Sequence, residues 1–168
     1  MRFDELRSTL TEFAAERVAL LHRHEAGARA VSHYDFNNTY QYVINREETH
    51  LTWLRDALAE LSAPLPGPSS PLAVPQGAKQ STRPNPAAFG GVLEDDARQL
   101  TRFVDKWRDR VKAVSHARHR GMLDVILGES LEHGRLFEQA AAGFEDLLGR
   151  RTGGVARVGG VLPTRWVE

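Results

Sequence analysis

Two short stretches of the chain set carboxylates and imidazoles at spacings that one metal ion could use. Glu47 and His50 stand three residues apart in Glu-Glu-Thr-His, and Glu129 and His133 stand four apart with Glu132 between them. Residues three or four apart share one face of a helix. A carboxylate beside an imidazole is a donor set for iron, manganese or zinc. Glu25, next to His24, is a further candidate ligand, with Glu16 as the alternative glutamate of the same segment. The chain has no cysteine, which excludes disulfides, zinc–thiolate sites and thiol nucleophiles. It carries neither a glycine-rich phosphate loop nor a serine elbow, so nucleotide binding and serine hydrolysis have no basis in the sequence.

Four helical segments must position these residues. Apolar spacing predicts the first from about Phe3 to Arg29, with Phe3, Leu6, Leu10, Phe13 and Leu20/Leu21 on one face. The second runs from about Asp35 to Leu61, the third from about Leu93 to Arg118, and the fourth from about Met122 to Leu148. At 100° per residue, Glu47 falls at the centre of the second helix's apolar arc, with His50 beside it. Glu129 and His133 fall inside the fourth helix's arc and Glu132 at its edge, while Glu25 lies off the first helix's stripe. Polar residues on an apolar stripe are the informative exception, because buried carboxylates are costly unless a cation neutralises them. Arg17 also falls near the first stripe and is expected to snorkel outward, with pairing to a core carboxylate as the alternative. The third helix offers Val104, Trp107 and Val111 to the core and no glutamate in its central turns.

The connections define the order. A turn near Ser32 to Asn38 joins the first two helices, with Asp35 or Asn37 as the expected cap. His119-Arg120-Gly121 is the expected turn between the last two. Short links make antiparallel neighbours, so the chain reads as two helical hairpins. Between them, residues 62–91 hold seven of the eight prolines and only Lys79 and Arg83 as charges. A link of that length is needed when the second and third helices run parallel and the chain must travel the bundle's length. One domain is expected over residues 1–149, followed by a non-helical tail over 150–168 that contains Gly153-Gly154 and Gly159-Gly160. Aligned without gaps, residues 43–58 lie over residues 125–140, superposing Glu47 on Glu129.

Glu47-Glu48-Thr49-His50 in such an order resembles the Glu-x-x-His element of ferritin-like di-iron carboxylate proteins, of the rubrerythrin and bacterioferritin type. The resemblance implies an all-α, ferritin-like four-helix bundle with a long crossover between helices 2 and 3. It also implies iron or manganese as cofactor, with redox chemistry on oxygen or iron handling as the function. The fourth helix spaces Glu129 and His133 one residue too far apart and the third lacks a glutamate, so at most one metal per chain is expected. His50 and His133 are also similar to ligands of DinB-type bundles, which hold one metal with three histidines. A non-catalytic assembly bundle is the reading from a different class.

Bulk properties narrow the partners. Lys plus Arg and Asp plus Glu both number 22, for a formal net charge of zero, so no bulk attraction to nucleic acid or membrane is expected. The opening MRFDELRSTLTEF has charges where a secretory signal would be apolar, and no apolar run approaches a membrane span. A cytoplasmic protein is expected, with a homo-oligomer the partner class left open. The basic third segment, from Arg98 to Arg120, reads as a solvated face balanced by acidic neighbours.

Overall fold

The computed structural model describes residues 3–73 and 86–151 of the chain. Among them the only regular structure is helical: α1 (Phe3–Ala30), α2 (Tyr34–Glu60), a 3-10 turn (Pro86–Phe89), α3 (Gly90–Lys112), α4 (Ala117–Ala141) and the short α5 (Leu147–Arg151). No helix is long and apolar enough to cross a membrane among these residues.

Four long helices appear where the apolar spacing puts them, but their ends differ from the sequence expectation. Asn37 does not cap α2. Its side-chain amide donates to Ala28 O (2.8 Å) and Val31 O (3.1 Å), closing the end of α1, while His33 occupies the cap position of α2 without a side-chain capping bond. The turn between α3 and α4 lies at residues 113–116 rather than at 119–121, and Gly121 is inside α4. The fourth helix stops at Ala141 rather than Leu148. Gly143 (φ 86°) takes the left-handed conformation there; its N–H reaches Ala140 O (2.9 Å) and the Phe144 N–H reaches Gln139 O (3.0 Å). That pair of bonds satisfies carbonyls the helix would leave open. Phe144, beyond the end of α4, is therefore 48% exposed, and Phe3, the first residue of α1, is 57% exposed. At the end of α2 the same two bonds form with Ser62 at φ 55° in the glycine position.

Cross-helix contacts set the directions. Along α1 against α3 the pairs are Glu12–Arg110, Glu16–Trp107 and Arg23–Asp96. Along α2 against α4 they are Tyr40–Phe137, Arg46–Glu129 and Glu60–Arg118. Numbers rise on one helix as they fall on the other, so both pairs are antiparallel, as are the helices joined by short turns. It follows that α2 and α3 run the same way, on opposite corners. From the end of α2 the link climbs along α1: the Ser69 N–H donates to Ala15 O (3.0 Å) and the Arg23 guanidinium donates to Ala73 O.

The core fills with side chains from all four long helices, including Leu10, Phe13, Tyr40, Leu54, Leu100, Trp107, Ile126 and Phe137. Gly27 lets α1 and α2 approach: a Cβ there would sit 2.7 Å from Tyr40 Cε1. The basic face of α3 is solvated and paired, with Arg110 bidentate on Glu12 (both 2.7 Å) and Lys106 on Glu16.

Candidate functional site

At mid-depth in this core sits a buried cluster of polar side chains. Arg17 and Glu47 are both 0% exposed. Arg17 reaches Glu47 from α1, its Nη2 donating to Oε1 at 2.9 Å. Its Nη1 donates to Ser130 Oγ at 3.1 Å, and the guanidinium carbon lies 5.2 Å from the centre of the Phe103 ring, a stacking that suits a weakly hydrated cation. The other Glu47 oxygen is 2.8 Å from His24 Nδ1. Arg17 Nη2 also faces His50 Nδ1 at 3.4 Å, and His50 Nε2 lies 2.9 Å from Glu129 Oε2. Arg46 closes the outer end, bidentate on Glu129 at 2.7 and 2.9 Å. The result is one chain of partners from His24 in the interior to Arg46 at the rim.

Charges settle accordingly. Burial pushes the Glu47 carboxyl up, but His24, Arg17 and His133 outweigh it and hold Glu47 at about 2. It is ionised throughout the ordinary range. Burial, aided by the Arg17 cation, pushes His50 down to about 4. Burial likewise pushes His133 down to about 3, against the pull of Glu47. Both imidazoles are neutral near pH 7. With Nε2–H donated to Glu129, His50 Nδ1 presents its lone pair to Arg17. Glu129 is held below its usual value, first by the Arg46 hydrogen bond.

Of the sequence candidates, Glu47, His50 and His133 are buried with His24 beside them. Glu129 is at the rim, its side chain 31% exposed. Glu132 faces outward onto Arg135 at 2.6 Å, and Glu25 is half-buried outside the cluster. Glu16 pairs with Lys106 and accepts from Trp107 Nε1 (3.1 Å). Glu47 and Glu129, superposed in the gapless alignment, differ in burial: Glu47 is wholly buried and Glu129 is not. The buried pair on α4 is Ser130 and His133, three apart like Glu47 and His50, so Ser130 is the α4 residue in register with Glu47. Its hydroxyl donates to Ile126 O (2.6 Å). Arg17, expected to snorkel, is instead fully buried and paired. Ser130 and Arg17 are the two members of the cluster that sequence reasoning undervalues. Their signal is present in the Ser-x-x-His spacing and in an arginine on an apolar stripe.

A metal at this centre would need an ionised donor set without a competing cation. Glu47 is the one fully buried carboxylate of the cluster, and a guanidinium already sits on it. Placing a divalent ion between Glu47, His50 and His133 would bring two cations together around one anion in a medium of low dielectric. As arranged, the residues do not fit the di-iron centre that the resemblance implies. Three nitrogens of the cluster, Arg17 Nε, His24 Nε2 and His133 Nδ1, are buried without a hydrogen-bond partner.

A second buried cluster, not anticipated from the sequence, lies nearer the start of α3. Asp96, fully buried, accepts from Arg23 Nε (2.7 Å) and from the Tyr40 hydroxyl. Burial and Asp96 together push the Tyr40 hydroxyl far up, so it stays protonated and donates. Asp96 sits in the first turns of α3, away from the central turns where a ligand glutamate would be expected. Comparison with known proteins adds no relative: no protein-family model, no curated protein and no solved structure matches this chain.

Proposed function

We propose that the chain is a ferritin-like four-helix bundle whose polar centre is neutralised by its own arginine, and that it works as a non-catalytic binding or assembly module. The reading rests on Arg17, wholly buried on Glu47 at 2.9 Å. A ferritin-like metal centre draws a glutamate from each of two helices and Glu-x-x-His from each of the other two. In its buried interior this chain has Arg17 on α1, Glu47 and His50 on α2, Val104 and Trp107 on α3, and Ser130 and His133 on α4. One carboxylate and one guanidinium cancel, and nothing is left over to balance two metal ions. The helix order, with α2 and α3 running the same way, supports the ferritin-like architecture.

The orphaned imidazole nitrogens favour a second reading, a single iron or manganese ion. Glu47, His50, Glu129 and His133 would hold it once Arg17 withdrew, and it would supply redox chemistry with oxygen. Tag-free protein loaded aerobically with iron(II) or manganese(II), passed through gel filtration and analysed for metal, separates the two. The arginine-centred reading expects no retained metal that Glu47→Gln removes. One equivalent per chain that disappears in Glu47→Gln would establish the second reading instead, and two equivalents that both disappear in Glu47→Gln would overturn both.

A further inference from the structure

Where α1 turns into α2 and α4 gives way to α5, three ligand-type side chains meet. His33, Asp35 and Glu145 each bring one ligand atom within 4.8 Å of the other two, the one such group among the described residues. They come from two distant parts of the chain. His33 precedes α2, Asp35 is in its first turn, and Glu145 lies in the turn between α4 and α5. His33 Nε2 is 3.3 Å from Glu145 Oε1. Two ligands about 2.1 Å from a shared tetrahedral ion stand at that separation, roughly 3.4 Å apart. Packing fixes the imidazole in place, with its ring centre 4.2 Å from that of Phe36 and its side chain 14% exposed. Its Nδ1 is buried with no hydrogen-bond partner. The left-handed residues Gly143 and Asp146 bracket Glu145 in the turn that presents it.

We propose that His33, Asp35 and Glu145 form a divalent-cation site of the zinc or manganese class, which clips the α4–α5 turn to the start of α2. Two carboxylates offset the charge of one divalent ion and leave the imidazole neutral as the third ligand. Three protein ligands leave a coordination position for water. The positive end of the α2 dipole opposes a cation here, so binding is modest and depends on both carboxylates. The site shares no residue with the arginine-centred cluster.

The test is zinc titration of the full tag-free chain by calorimetry, with thermal unfolding read alongside. The expected result is about one zinc per chain and a melting temperature raised by roughly 5–10 °C at zinc a hundredfold above Kd. His33→Ala and Glu145→Gln should each abolish both effects. Glu145 is half-exposed, so the second variant keeps the fold intact, and Glu47→Gln should leave zinc binding unchanged. Zinc bound equally by wild type and Glu145→Gln, or lost only in Glu47→Gln, would overturn the proposal, as would wild type that takes up none.

Discussion

Arg17 and Glu47 are worth more as a pair than either is alone. Replacing one partner of a buried ion pair strands the other charge, which costs about 3–5 kcal/mol. Arg17→Met should therefore lower unfolding free energy by that amount in urea. The double variant Arg17→Met with Glu47→Leu should recover most of it, because both charges leave together. A double variant no more stable than the single one would show that the pair is not held as described. The neighbouring imidazoles make stability depend on pH. His50 at about 4 and His133 at about 3 refuse protons that the unfolded chain binds near pH 6.5. Their contribution is complete above about pH 6.5 and is lost as pH falls toward 4. The slope approaches roughly 2.7 kcal/mol per pH unit when both titrate. Glu47, depressed to about 2, adds its own loss only below about pH 4.5. Urea midpoints that stay flat from pH 7 to 5 would contradict this. At this scale the sequence was half legible. Helical spacing put Glu47, His50 and His133 inward, because an apolar stripe locates a face. It could not give the rotation that turns Glu129 to the rim and Ser130 inward, since neighbouring residues stand 100° apart and a stripe fixes a helix's rotation no more finely than that.

Helix ends carry the other legible and illegible parts. The four long helices followed from apolar periodicity and from composition on either side of the proline-rich link. Their termini did not, because ends are set by single backbone conformations rather than by a stripe. Gly143 was the available signal for the end of α4, a left-handed residue that only glycine adopts freely. Ser62 plays the same part at the end of α2 with φ 55° and without glycine's freedom. Ser62→Gly removes that strain at some cost in unfolded-state entropy. We expect a net gain of about 0.5–1 kcal/mol, read as a raised melting temperature, whereas Ser62→Val should lose stability. Asn37 offers the converse lesson. Its position suits a cap for the helix that contains it, yet it bonds one carbonyl in the last turn of the helix before it and one just beyond that helix's end.

Across the whole molecule, every long helix has neighbours that run opposite to it: α1 lies against α2 and α3, and α4 against α3 and α2. Peptide dipoles pair off head to tail, leaving little axial field where Arg17 and Glu47 sit. The ion pair is then governed by its own contacts, and it is shielded from solvent on all sides. Mobile ions cannot reach it, so its share of stability should be unchanged between low and high salt. The surface pair Glu12–Arg110, with side chains 46% and 39% exposed, should fade over the same range as the Debye length shrinks from about 30 Å at 0.01 M to 3 Å at 1 M. Double-mutant cycles for the two pairs, run in dilute buffer and in molar sodium chloride, would register that contrast directly. A coupling between Arg17 and Glu47 that weakens as much as the surface pair would mean that brine reaches the middle of the molecule. The antiparallel arrangement thus makes this protein's internal charge a private one, insulated from the ionic weather outside.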